Sequence, residues 1–313
     1  MDEHAIRDVI MVGAGPSALA AAIYTTRENI DTVLYEKGVV GGLAAITDKV
    51  DNYPGFADGV EGMVLAEQLQ KQAERFGAHI EYGDVTAVRD EGDYRVVTVD
   101  GNEVKARAVL VATGSDYNKL GIPGEAEYYG RGVHYCATCD GAFYRDKRIV
   151  VVGGGNSGVQ EAIFLTRFAN HIDLLVRSTL KASDILQRDL QQYIDEGQVT
   201  VHLQTVPTEI VAGDDGKVHK VKTLQNNEPV DIATDGVFVF IGLKPNTQFL
   251  AGSGVELDEH NLVKTDVHLA TNVPGVYASG DVRSGATMQV ASAVGEGATA
   301  ALSIREFIDS SKQ

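Results

Sequence analysis

The chain has 313 residues, a length that suits two domains better than one core. Its net charge is −17, from 44 acidic against 27 basic side chains, which works against binding nucleic acid. No apolar run approaches the roughly 18 residues of a membrane-spanning helix, and the start, MDEHAIRD, is too polar and acidic for a secretory leader, so a cytoplasmic protein that binds neither membrane nor nucleic acid is expected.

In chain order, the first pattern is an apolar strand, Asp8–Val12, running into Gly13-Ala14-Gly15-Pro16-Ser17-Ala18 and then an amphipathic helix. Gly13 permits the tight turn. Gly15 lets a pyrophosphate approach the backbone, and a small residue at 18 lets helix and strand pack closely, with the helix N-terminus facing the phosphates. A second strand, DTVLYE, ends at Glu36, 23 residues after Gly13. An acid there accepts hydrogen bonds from ribose hydroxyls and suits FAD. VLVATG (109–114) is a buried strand that ends in a small-residue turn, and a crossing follows near 115–121.

The pattern then repeats at an offset of 140. Residues 11–27, MVGAGPSALAAAIYTTR, and 151–167, VVGGGNSGVQEAIFLTR, are identical at 8 of 17 positions. The second turn, Gly153, Gly155, Asn156, Ser157 and Gly158, follows the strand Arg148–Val152. Here the offset that reached Glu36 lands on Val176, followed by Arg177, with Lys181 nearby. With no carboxylate to repel it, a 2′-phosphate would be held by these bases, which favours NADPH. VFVFIG is a further strand, broken by Lys244-Pro245-Asn246, so a return crossing falls near 243–249. GVYASGD (275–281) is a strand and turn before a small-residue helix. The expected fold is α/β: two Rossmann-like three-layer nucleotide-binding domains, one inserted in the other, with residues 1–117 and 248–313 as the FAD domain and 118–247 as the NADP domain.

Only two cysteines occur, Cys136 and Cys139, as C-A-T-C between the two turns. A structural zinc site needs about four ligands, and no second pair exists; His134 adds one ligand at best. A lone C-x-x-C beside α/β patterns favours redox chemistry.

The stretches GAGPSALAAAIYTTR, DNYPGF (51–56), VATG (111–114), CATCDG (136–141), GGGNSG (153–158), IGLKPN (241–246) and Gly280-Asp281 together resemble the low-molecular-weight thioredoxin reductases over nearly the whole chain. That resemblance implies a homodimer that passes electrons from NADPH through FAD and the Cys136–Cys139 disulfide to thioredoxin or a similar small disulfide protein. It places Gly13, Gly15, Pro16, Ser17, Ala18 and Glu36 on the FAD diphosphate and ribose. Gly42, Leu43, Asn52, Thr113 and Gly114 lie along the flavin, with Gly280 and Asp281 at the ribityl or diphosphate side and Gln289 and Val290 near the ring. It puts Cys139 nearest the flavin, has Cys136 attack the partner, and has Asp140 give or take a thiol proton. One departure concerns the electron donor. NADPH-using members carry His-Arg-Arg-x-x-x-Arg, where this chain has Val176-Arg177-Ser178-Thr179-Leu180-Lys181. A reductase fed by ferredoxin or another carrier, and a non-enzymatic flavin/NADP redox sensor, are the alternatives.

Overall fold

The computed structural model describes residues 6–47, 50 and 52–311. Residues 1–5 of the acidic start and Asp51 of DNYPGF, both read above, lie outside the described residues. The chain forms two compact units, Met1–Asp116 with Lys244–Gln313, and Tyr117–Leu243.

The first unit opens with β1 (Arg7–Val12), α1 (Pro16–Arg27), β2 (Thr32–Glu36), α2 (Gly42–Ala45), α3 (Gly62–Arg75) and β3 (His79–Tyr82). A meander follows: β4 (Val85–Asp90), β5 (Arg95–Val99) and β6 (Asn102–Val111). The chain crosses through β7 (Ser115–Tyr117). The second unit holds β8 (Val133–His134), α4 (Ala137–Asp140), β9 (Arg148–Val152), α5 (Asn156–Leu165), β10 (His171–Leu175), α6 (Asp184–Asp195) and β11 (Val199–His202). It continues with β12 (Thr205–Ala212), β13 (Val218–Gln225), β14 (Glu228–Ala233) and β15 (Gly236–Val239). The return runs through β16 (Leu243–Pro245) to β17 (Val276–Ala278) and α7 (Val290–Ser311).

The first sheet has the order β3-β2-β1-β6-β5-β4, with β17 also paired to β6. Its centre is parallel: β1 lies between β2 and β6. Parallel strands covered on both faces read as unbroken apolar runs, and Val9–Val12 and Ala108–Val111 are buried without alternation. β6 changes role along its length. Asn102–Ala106 pairs antiparallel with β5, and Ala106–Val111 lies parallel to β1 and β17. Asp100 and Gly101 both have positive φ (48° and 82°), the conformation of a two-residue hairpin turn, and close β5 onto β6. Helix α7 packs on α1, and a Cβ on Gly297 would run into the Ser17 carbonyl, so the two helices meet backbone to backbone.

The second unit repeats the arrangement in smaller form. Its parallel sheet has the order β11-β10-β9-β15-β8, beside a three-stranded antiparallel sheet β12-β13-β14. One core lies between the parallel sheet and its helices (Val151, Leu165, Leu174, Phe238), and another fills the space towards the antiparallel sheet (Val150, Leu175, Ile210, Val221).

The units divide at 116/117 and 243/244, within the crossings expected near 115–121 and 243–249, one and four residues before the domain bounds expected at 117/118 and 247/248. On the return side the reason is local. Asn246 N–H donates to Gly114 O (3.1 Å), and Thr113 Oγ1 donates to Asn246 O (2.7 Å), so Asn246 belongs to the first unit. On the outward side, buried Glu125 accepts from Leu120 N and Gly121 N, both at 2.7 Å, which ties the segment after β7 into the second unit.

Candidate active site and nucleotide sites

In the first unit, Gly13 has φ +97°, and a Cβ there would come 2.6 Å from Ala112 O. Only glycine fits. A Cβ on Gly15 would meet nothing within 4 Å, leaving the open cradle that a pyrophosphate needs. Pro16 starts α1, where its missing N–H costs nothing. Ser17 Oγ lies 2.6 Å from Ser279 Oγ, both buried, and Ala18 is fully buried. Glu36 does more than wait for a ribose. Its Oε2 accepts from Ala14 N (2.8 Å) and its Oε1 from Gly38 N (2.7 Å), which staples the end of β2 across the glycine turn. A cleft of about 320 Å³ opens beside it, lined by Gly13, Glu36, Gly83, Thr86, Thr113 and Asn246 among others.

The other expected flavin contacts lie in this same unit. Gly42 and Leu43 begin α2. Asn52 Nδ2 donates to Gln289 Oε1 (3.0 Å), joining two expected residues 237 positions apart. Val290 begins α7. Gly114 has φ +65°, and Thr113 is held by Asn246 as described. Gly280 N–H donates to Glu296 Oε2 (2.7 Å), and Glu296 also takes a two-point contact from Arg283 (2.6 and 3.0 Å). Burial, with Glu296 nearby, pushes the Asp281 carboxyl up to about 6. Its main chain is anchored by Ser115 Oγ, 2.6 Å from Asp281 O.

In the second unit, a Cβ on Gly153 (φ +147°) would collide with the Phe240 carbonyl, and one on Gly158 with the Gly153 carbonyl. Gly155 is open, like Gly15. Asn156 and Ser157 form the exposed first turn of α5. Lys181 N–H donates to Gly154 O (2.7 Å), and Ser183 N–H to Asn156 Oδ1 (2.8 Å). Arg177 and Lys181 are both exposed just beyond β10.

The second unit also carries the two cysteines, joined as a disulfide with Cα atoms 5.3 Å apart. Cys136 is the N-cap of α4, and its sulfur accepts from Cys139 N–H (3.2 Å). Asp140 closes this short helix, with Oδ2 3.1 Å from His134 Nδ1. His134 Nε2 lies 2.7 Å from the Tyr144 hydroxyl. The neighbouring Tyr135 donates its hydroxyl to Glu125 Oε1 (2.7 Å).

Glu296, Asn246, Glu125 and Tyr144 are not among the site residues expected from the sequence, and His134 enters there only as a candidate metal ligand. Glu296 stands out as an acid inside a run of small residues, and Asn246 lies in the quoted IGLKPN stretch. The partners of Glu125 and Tyr144 come from strands that only the fold brings together. Among the described residues, no group of three or more metal-ligating side chains occurs, and no helix is long and apolar enough to cross a membrane.

Two Rossmann-type units in one chain, each with a phosphate-binding turn and one bearing a C-x-x-C disulfide, define a nucleotide-linked disulfide oxidoreductase. Residues 7–297 match the pyridine nucleotide-disulphide oxidoreductase family, and the chain belongs to it. It is 40% identical over 312 residues to the thioredoxin reductase of Bacillus subtilis strain 168, covering 99% of this chain and 97% of that one. It is likewise 40% identical to the thioredoxin reductase of Listeria innocua. The crystal structure of thioredoxin reductase from Streptococcus pyogenes MGAS5005 superposes with a TM-score of 0.92 at 37% identity, covering 98% of this chain and 99% of that one.

Proposed function

We propose that the chain is a thioredoxin-disulfide reductase that binds FAD, takes electrons from NADPH and delivers them through Cys136–Cys139 to a thioredoxin. The observation that carries this reading is the disulfide-forming C-x-x-C held in one chain with two open glycine turns. The open Gly15 cradle, Glu36 and the adjoining cleft fit FAD. The Gly153–Gly158 turn, Arg177 and Lys181 hold NADPH, with the two bases on the 2′-phosphate. FAD, when bound, supplies two-electron chemistry between a nicotinamide and a disulfide.

The chain's own residues do the rest. Two electrons and one proton convert the Cys136–Cys139 disulfide to a thiol and a thiolate. Asp140 holds or delivers the proton at the Cys139 sulfur. Cys136 Sγ then attacks the partner disulfide, forming a mixed disulfide and expelling one partner thiolate. Cys139 Sγ attacks Cys136 in turn, restoring the internal disulfide and releasing the partner's second thiolate. The protein acts in the cytoplasm as a homodimer.

The test is anaerobic rapid mixing of the yellow protein with NADPH and then NADH, followed by turnover with thioredoxin. Fast bleaching near about 450 nm by NADPH, followed by thioredoxin reduction, is the expected result. Bleaching by reduced ferredoxin alone would move the electron donor to a protein carrier. Bleaching without thioredoxin turnover would make the chain a sensor.

A further inference from the structure

The residues around the disulfide include a buried histidine for which the proposed chemistry has no use. His134 ends β8, only 5% exposed, with its ring stacked on Phe238 (centroids 5.1 Å apart) and edge-on to Tyr144 (5.3 Å). The Phe238 stack and the Tyr144 contact together fix the plane of the imidazole. One ring nitrogen meets the Asp140 carboxylate and the other the Tyr144 hydroxyl. Tyr144 is itself buried, and its seat exists because residue 236 is glycine, where a Cβ would strike the phenol ring.

We infer that His134 is a positioning residue for Asp140: a neutral imidazole that Tyr144 locks in the Nδ1–H tautomer, so that its single N–H is committed to the Asp140 carboxylate. Burial, together with the nearby charges of Asp140 and Asp235, pushes the Tyr144 phenol well above its ordinary range, so the hydroxyl keeps its proton and has to place it. Its neighbour is His134 Nε2 at 2.7 Å. When Tyr144 donates there, Nε2 accepts, and the one proton of a neutral imidazole sits on Nδ1. Nδ1 then donates to Asp140 Oδ2. The reverse tautomer would have Nε2–H donate to the Tyr144 oxygen, turning the hydroxyl proton away, and would leave Nδ1 facing a carboxylate with no proton between them. Asp140 follows Cys139 directly at the end of a four-residue helix, a place where a free side chain would sample several rotamers. The His134 N–H confines it to one.

This inference rests on Cys136–Cys139 being the working redox pair, and the first measurement is independent of that. In protein labelled with 15N at histidine, the imidazole perturbed by Tyr144→Phe is expected to show a protonated Nδ1 and an accepting Nε2 at neutral pH. An Nε2–H tautomer in the wild-type protein would overturn the inference, whether or not any thioredoxin is reduced. The second measurement compares two amides. In His134→Asn the side-chain amide reaches the place of Nδ1 and can still donate to Asp140, whereas in His134→Gln it reaches the place of Nε2. Disulfide turnover relative to ferricyanide turnover, which needs the flavin but not the cysteines, should fall roughly tenfold in kcat in His134→Gln and be largely kept in His134→Asn, with KM for thioredoxin unchanged in both. Equal losses in the two amides, or a loss confined to KM, would also overturn it. Should neither amide variant fold, the tautomer of the wild-type protein still decides.

Discussion

The two glycine turns are copies of one motif and share one main-chain bond, yet only the first carries a second pin. Ala14 and Gly154 are equivalent positions in the repeat. In the first turn, Ala14 N–H donates to a carboxylate, Glu36, reaching over from the end of β2. The carbonyl at this position is used in both turns, Ala14 O accepting from Gly41 N–H (2.8 Å) and Gly154 O from Lys181 N–H (2.7 Å). The first arrangement leaves a carboxylate at the end of β2, of the kind that accepts from ribose hydroxyls. The second has a buried valine, Val176, just after its strand, with exposed Arg177 next in sequence and Lys181 bonded through its main chain to Gly154. The main-chain bond is common to both turns; the carboxylate of the first disfavours an anion there, and its absence from the second leaves room for one. The same turn geometry is therefore compatible with an unmodified adenosine ribose at the first turn and a 2′-phosphorylated one at the second.

The strongest way to break the comparison is to give the second turn the charge of the first. In Arg177→Glu combined with Lys181→Glu, kcat/KM for NADPH should fall by roughly 100-fold or more, about 3 kcal/mol, while that for NADH is held or rises. Anaerobic flavin reduction with each nucleotide measures the ratio, and an unchanged ratio would mean that the 2′-phosphate is held elsewhere. The next effect is steric. The third small residue is alanine in the first turn and glycine in the second, and a Cβ at Gly158 would meet the Gly153 carbonyl. Gly158→Ala should therefore cost about 2–3 kcal/mol of stability by overpacking, whereas Ala18→Gly should cost about 1 kcal/mol through helix propensity. Thermal melts of the pair would show whether the two turns are as differently packed as the glycine contacts indicate.

Both turns, their flanking strands and the nested order of the domains are written in local patterns: a buried apolar run, then Gly-x-Gly, then a small-residue helix, twice. The Cys136–Cys139 pair is legible for the same reason, since its spacing is local. The meander β4–β6 and the sheet β12–β14 escaped, although turn signals for both were present. Asp100-Gly101 and Asn226-Asn227, all at positive φ, are two-residue hairpin turns. The first is obscured because β6 is two strands in one, exposed to half-buried over Asn102–Lys105 and buried over Ala108–Val111. No sequence period describes both halves. The contacts of Glu296, Glu125 and His134 were illegible for another reason. Each is a polar side chain whose meaning lies in a partner contributed by a different element, as Gly280 is to Glu296 or Tyr144 to His134.

Acids set the first unit apart from the second turn, and the pH dependence of stability should show it. The Asp281 carboxyl stands at about 6 in the folded protein against an ordinary 3.8, because ionising it in place is costly. Its stabilising contribution is therefore full below about pH 4 and lost as pH rises through about 6. Without FAD, Asp281→Asn should be more stable than the wild-type protein by about 2 kcal/mol at pH 7.5, with the gap closing near pH 4. Urea unfolding across that range measures it, and a gap independent of pH would mean that Asp281 is charged in the fold at no cost.

The smallest effect bears on the comparison itself. Glu36→Gln keeps one acceptor oxygen but turns the other into a donor, facing either Ala14 N–H or Gly38 N–H. Losing one charge-assisted bond should cost about 1.5 kcal/mol and loosen FAD retention after dialysis. No matching change exists in the second unit, because the bond at Gly154 is made by main-chain atoms alone. If Glu36→Gln melted like the wild-type protein, the carboxylate would serve only the cofactor, and the first turn, like the second, would stand by its backbone.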